Sequence, residues 1–242
     1  MQRKLTLSSV RFGYPNQWGV GPFSLSLNTG LTLLLGKNAS GKTTLLRGLA
    51  GLLRLQEGDL FFNDKNLVSF DRKTFTQQIG YLQQQPPLPI GITAHELLSF
   101  GQLPFVKRIW EDPLPASLFL SLLQDLEIPC SLSDLVEKLS GGTRQLLHIA
   151  RLLLQAPSLY LLDEPLEGID LYHQKLVMKR LQKEMIERKA IILMSTHHLT
   201  YPLKVADRIL MLDQGALIGD EDPRNFKLDF LEEHRDREPM GL

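Results

Sequence analysis

Cysteine is almost missing from these 242 residues: Cys130 stands alone, so no disulfide can close within the chain. That usage fits a reducing compartment. No His or basic residue adjoins Cys130, which makes it a small structural hydrophobe rather than a reactive thiol. Long apolar runs are lacking too. Nowhere does the chain hold the roughly 18 consecutive apolar residues that a bilayer-spanning helix needs, and Leu5-Thr6-Leu7-Ser8-Ser9 is too short and polar for a secretory leader's core. Net charge is absent as well, with 27 basic against 27 acidic residues, so no strong field draws a nucleic-acid partner. No internal repeat or long low-complexity segment is present. A soluble chain is expected, one that reaches a membrane only through a partner.

What is present centres on Gly36-Lys37-Asn38-Ala39-Ser40-Gly41-Lys42-Thr43-Thr44. A strand-like Leu31–Leu35, apolar but for Thr32, enters it, and Thr44–Leu49 leaves it with helical spacing. Strand, glycine loop and helix form the context of a phosphate-binding loop: loop N–H groups converge on phosphate oxygens, and the helix start adds free donors and a positive dipole end. Gly36 and Gly41 permit close backbone approach. Lys42 then reaches the β- and γ-phosphates, and the Thr43 hydroxyl ligates Mg²⁺. Chance places G-x-x-x-x-G-K-[ST] in about one chain in a hundred of this size, and fewer still with both flanking elements.

Along the chain, Lys4–Phe12 and Phe23–Leu27 alternate as half-exposed strands. Gly51 to Gly58 contains a break, Asp59–Phe62 reads as a strand, and Gln77–Leu82 as a strand ending in Gln83-Gln84-Gln85. The cluster Pro86-Pro87-Leu88-Pro89 marks a hinge, followed by a mostly helical insert from Thr93 to Leu126. Ser140-Gly141-Gly142-Thr143 opens an amphipathic helix. Leu159–Leu162 and Ala190–Met194 are buried strands around a charged helix from Leu171 to Lys189. A short helix from Pro202, a hairpin over 208–219 and a charged, solvated tail over 232–238 complete the chain. This alternation predicts an α/β fold: a P-loop NTPase core with a mostly parallel sheet, a flanking antiparallel β layer and a helical subdomain insert.

In an open parallel sheet, ligands gather beyond the carboxyl ends of the strands. Four predicted strands end there in groups suited to one phosphate site. Besides the glycine loop, Asp163 holds Mg²⁺ through oxygen, and Glu164 polarises the water that attacks the γ-phosphate. Gln84 contacts the metal or that water, and His197 hydrogen-bonds the γ-phosphate. Each alone has an ordinary structural explanation; their ordered occurrence with the loop does not.

Gly36–Thr44 (GKNASGKTT), Gln84, Leu139-Ser140-Gly141-Gly142 (LSGG), Leu161–Pro165 (LLDEP), Asp170 and Ser195-Thr196-His197 together resemble the motif set of ABC-type ATPases, over roughly Leu5 to Gly219. The resemblance implies an ATP- and Mg²⁺-dependent ATPase working as a head-to-tail pair of nucleotide-binding domains. Ser140, Gly141 and Gly142 of one chain would meet the γ-phosphate on the other's loop. Tyr14 matches the aromatic that stacks on adenine, with Phe12 as competitor, and Asp170 matches the residue coupling the two sites. Thr143 stands where Gln is usual, His198 where Asp is common, and Leu166-Glu167 where a small polar pair is common.

On this resemblance residues 1–242 form one nucleotide-binding domain, with a helical subdomain at about 86–150. It acts with a separate transmembrane permease at the cytoplasmic face of the membrane. Leu88, Ile90, Leu97, Leu98 and Phe100 are either the docking groove or insert core. Gln83–Pro87, Ile92–Pro104 and Asp170–Gln174 are similar to importers of the iron-siderophore, haem and vitamin B12 type. An exporter ATPase and a soluble ABC ATPase in cofactor assembly are the alternatives.

Overall fold

The computed structural model describes residues 3–14, 19–88, 90–105 and 116–226. The charged-tail expectation over 232–238 therefore lies outside the described residues. In chain order the elements are β1 (Lys4–Phe12), β2 (Val20–Asn28), β3 (Gly30–Leu35), α1 (Lys42–Leu49), β4 (Leu55–Phe62), β5 (Lys65–Asn66), α2 (Arg72–Gln78) and β6 (Ile79–Leu82). There follow α3 (Ala94–Ser99), α4 (Ala116–Asp125), α5 (Gly141–Gln155), β7 (Leu159–Asp163), α6 (Leu171–Arg188), β8 (Ile191–Ser195), α7 (Pro202–Val205), β9 (Arg208–Asp213) and β10 (Ala216–Glu221).

Two sheets result. A six-stranded sheet runs β10-β9-β3-β8-β7-β6, parallel except for the hairpin strand β10, and a four-stranded antiparallel sheet runs β2-β1-β4-β5. The all-apolar strands are the central ones, because each must bury both faces. On β7, Tyr160 and Leu162 enter one core with α5, α6 and the helical insert, while Leu159 and Leu161 enter the other, with α1 and the antiparallel layer. The parallel sheet thus separates two apolar cores, and the ends of β3, β6, β7 and β8 emerge on one rim.

Two local readings need correction. Gln77 and Gln78 are not strand; they close α2, whose start is fixed by the Asp71 carboxylate accepting from Thr74 N at 2.9 Å. That cap overrides the apolar run that follows it. Nor does the strand begin at Asp59: a break does fall after Gly51, but β4 starts at Leu55 and runs through Gly58, which has φ 80°. A Cβ there would stand 2.3 Å from Ser8 O, where the pairing of β1 with β4 slips between Ser8 and Arg11. Gly58 is therefore the single residue inside β4 that faces a bulge of two residues, Ser9 and Val10, on β1.

The insert is helical where described. Thr93 and Glu96 form a reciprocal capping box at the start of α3. A 3₁₀ turn over Phe100–Gln102 ends it, and a Cβ on Gly101 would lie 2.3 Å from Arg151 O, so the turn lies directly against α5. Leu97 and Leu98 are insert core, at 3% and 0% exposure, whereas Leu88, Ile90 and Phe100 stay exposed.

Candidate active site

The strand ends converge on a cleft of about 580 Å³. Tyr14, Val20, Gln84, Asp163, Glu164 and His197 line it together with the whole run Asn38, Ala39, Ser40, Gly41, Lys42, Thr43 and Thr44. Gly36 sits beneath. A Cβ on Gly36 would fall 2.2 Å from Leu212 O, so only glycine fits the exit from β3. Gly41 has φ 105°, and a Cβ there would meet Val20 Cγ1 at 2.5 Å. Loop shape thus follows from steric exclusion on two sides.

The first turn of α1 has no side-chain cap, because Gly41 occupies the N-cap position. Its free N–H groups face the cleft wall formed by Lys42, Thr43 and Thr44, the arrangement that binds an anion at a helix start. Lys42 Nζ donates to Gly36 O at 2.7 Å and Lys37 O at 2.9 Å, so its ammonium is held inside the loop. Burial lowers its pKa, opposed by the charges of Glu164 and Asp163.

Opposite stand two buried carboxylates, Asp163 at 1% and Glu164 at 4% exposure. Asp163 ends β7 in register with Ser195 of β8, and Ser195 Oγ donates to Asp163 Oδ1 at 2.7 Å. The same Oγ accepts from Glu164 N at 3.0 Å. Glu164 itself has φ 47°, which turns its side chain toward His197: His197 N donates to Oε2 at 3.0 Å. His197 Nε2 lies 3.2 Å from Oε1 but without hydrogen-bond alignment. Desolvation raises the Glu164 pKa, against the opposing pull of His197 and Lys42. Asp163 Oδ2, Glu164 Oε1 and Ser40 Oγ are buried without partners. Buried polar atoms without partners are costly; a divalent cation on Asp163, a phosphate oxygen accepting from Ser40 and a water donating to Glu164 would supply what these lack. The residues present therefore fit Mg²⁺ and a nucleotide.

Gln84 lies two residues beyond β6, and its Nε2 donates to Glu167 Oε2 at 3.1 Å. Tyr14 wins over Phe12 as the aromatic beside the loop. Phe12 is 1% exposed and its ring fills the space above Gly48, while Tyr14 lines the cleft with its hydroxyl accepting from Arg47 at 2.9 Å. Ser195, Val20 and Arg47 are site residues to which the sequence alone gives no role. Ser195 was legible as the last residue of a strand flanking the one that ends in Asp163.

Ser140, Gly141, Gly142 and Asp170 do not reach this cleft. Ser140 and Gly141 are exposed at the start of α5, where Ser140 Oγ accepts from Thr143 N at 3.1 Å. Asp170 caps α6, accepting from Tyr172 N and His173 N at 3.0 Å each. A Cβ on Gly142 would lie 2.7 Å from Gly168 O, so the start of α5 is fitted against the turn before Asp170.

Cys130 is half-buried, and burial pushes its thiol up to about 11, which keeps it protonated and unreactive. No helix among the described residues is long and apolar enough to cross a membrane.

Comparison with known proteins gives the same answer as the geometry. The family described as "ABC transporter" matches residues 20–167. The iron(3+)-hydroxamate import ATP-binding protein of Bacillus subtilis is 30% identical over 219 residues, 88% of this chain and 80% of that protein. The hemin import ATP-binding protein of Photobacterium profundum is 30% identical over 217 residues, 83% of this chain and 73% of that one. A dimeric ATP-binding cassette in a post-hydrolysis state bound to ADP and phosphate superposes with a TM-score of 0.77 at 23% identity, covering 92% of this chain and 100% of its own. With the loop, the buried carboxylate pair and the histidine on one rim of this fold, the chain belongs to the ABC transporter family, as an ATP-binding, ATP-hydrolysing domain.

Proposed function

We propose that this chain is the ATPase subunit of an importer for a metal-chelate solute of the siderophore or haem kind, working as a head-to-tail pair beneath a separate membrane permease. The observation that carries the paired arrangement is the exposed start of α5. Ser140 and Gly141 are exposed to solvent, and neither they nor Gly142 line the nucleotide cleft of their own chain. A phosphate on one subunit's loop then meets Ser140, Gly141 and Gly142 of the other, and Asp170 lies beside that contact.

Within one cleft, Lys42 holds the β- and γ-phosphates and Tyr14 stacks on the base. Thr43, Asp163 and Gln84 would hold Mg²⁺, which neutralises phosphate charge as the terminal group departs. Glu164 takes a proton from the attacking water; its raised pKa makes it a better base than a solvated carboxylate. His197, tied to Glu164 through its backbone N–H, keeps its ring for the γ-phosphate. Gln84 joins the cleft to Pro86 and Pro87 and so to the helical subdomain at about 86–150.

A second cleft, of about 350 Å³, lies between that proline segment, α3 and α5. Pro86, Pro87, Leu97 and Phe100 give it apolar walls, and Leu88 and Ile90 continue the exposed apolar surface beside it. This is the seat proposed for the permease, which would hold the chain at the cytoplasmic face of the membrane. The import reading is supported by the names of the curated relatives. Its test is reconstitution with the permease in vesicles: a ferric siderophore or haem should raise ATP hydrolysis and accumulate on the side away from added solute. Stimulation by solute moving outward would make the chain an exporter subunit.

A further inference from the structure

We propose that Thr143 is a positioning residue, which sets the Ser140 hydroxyl as a hydrogen-bond donor toward the phosphate held by the facing subunit. The inference rests on the head-to-tail pairing above and assigns a role to the residue that departs from the usual signature. Thr143 is 8% exposed in the first turn of α5. Its Oγ1 lies 2.8 Å from Ser140 Oγ, and its backbone N–H donates to the same Ser140 oxygen at 3.1 Å.

A serine hydroxyl has one proton and two lone pairs. The Thr143 N–H fills one lone pair. When the Thr143 O–H fills the other, both acceptor positions of Ser140 are occupied from inside the chain. The one group left is the Ser140 proton, and Ser140 is exposed, so that proton points away from the helix. A phosphate oxygen accepts only, so its arrival selects this sense of the hydroxyl pair over the reverse one. The Thr143 hydroxyl therefore decides which of the two positions left by its own N–H the Ser140 proton takes. The neighbouring contact keeps the pair in place: Gly142 is seated against Gly168 O, with no room for a Cβ.

The test is the dissociation constant of the MgATP-bound dimer of the full chain carrying Glu164→Gln, measured by sedimentation. Thr143→Val keeps the shape and removes the hydroxyl, and should weaken the dimer about fivefold, the worth of one hydrogen bond. Thr143→Ser restores the hydroxyl and should stay within about twofold of the parent. Ser140→Ala should weaken the dimer, and adding Thr143→Val to it should cost nothing more. Thr143→Ala serves as the hydroxyl-free variant if the valine chain does not fold.

An equal loss from Thr143→Val with and without Ser140 would make Thr143 a helix-stability residue and overturn the proposal. So would an unaffected dimer while Ser140→Ala weakens it, and in that case the pairing itself stands. If Ser140→Ala has no effect, or MgATP drives no dimer at all, the pairing fails and takes the proposal with it.

Discussion

Two helices of this chain begin at glycine-bearing turns, and their first turns hold different things. At α1 the N-cap is Gly41, with no side chain to cap the helix, and the adjoining buried groups Ser40 Oγ, Asp163 Oδ2 and Glu164 Oε1 lack partners. At α5, Ser140 caps the helix through its own Oγ, and the turn is exposed. The first turn is left incomplete as structure and thereby ready for a ligand. The second is complete as structure, and anything it binds must come from outside. On the proposed pairing, one half-site is built by desolvating charged groups, the other by presenting donors on a surface.

The largest expected effect falls on the first turn's neighbours. Glu164→Gln should slow phosphate release by about a hundredfold or more, the range for losing a general base. Hydrolysis left at the parent rate would move the base elsewhere. Next, Lys42→Ala should raise the dissociation constant for ATP by roughly tenfold to a hundredfold, since charge-assisted hydrogen bonds to phosphate are lost. Titration with a fluorescent nucleotide measures it, and an unchanged affinity would remove Lys42 from the site.

The contrast sharpens when glycine becomes alanine in the loop that leads into α1 and in the first turn of α5. Gly36→Ala puts a methyl 2.2 Å from Leu212 O at φ 152°, and should cost folding about 1–3 kcal/mol. Gly141→Ala meets nothing closer than Arg144 at 3.9 Å, so its stability should hold or rise by up to about 1 kcal/mol, the gain of alanine over glycine in a helix. It should nonetheless weaken the MgATP dimer. Urea denaturation and sedimentation on the two variants separate these outcomes; a destabilised Gly141→Ala would erase the distinction between the turns.

Farther along α5, His148 offers a pH test. Burial, then the charges of Arg151 and Arg144, pull its pKa down to about 4 from the ordinary 6.5. The folded value lies below the unfolded one, so the unfolded chain takes up the proton first as pH falls. Stability is full above about pH 6.5 and declines toward pH 4, by about 2 kcal/mol between pH 7 and 4.5. His148→Leu should flatten that slope in urea titrations, and an unaltered slope would place the titration elsewhere.

Much of the fold was readable because each central strand must be apolar on both faces. Leu31–Leu35, Leu159–Leu162 and Ile191–Met194 carry that pattern, and the groups that follow them are the site. The errors have a different origin. Gln77 and Gln78 are polar residues before an apolar run, and the N-cap upstream of them at Asp71 decided in favour of helix. Gly58 lies inside β4 because the partner strand slips opposite it, and a slip belongs to the pair of strands rather than to either one.

By itself the sequence determined the chemistry: a glycine loop with Lys42 and Thr43, two successive carboxylates, a glutamine and a histidine, each after a buried run. Tertiary structure alone decided which aromatic faces the loop, since Phe12 is excluded only by being packed over Gly48. It decided that Ser195 ties Asp163 and Glu164 together through one hydroxyl, a consequence of strand register. It also decided that Ser140 and its glycines point away from their own chain's cleft. Distances between segments far apart in sequence depend on how two cores pack against one sheet, and no local pattern encodes them.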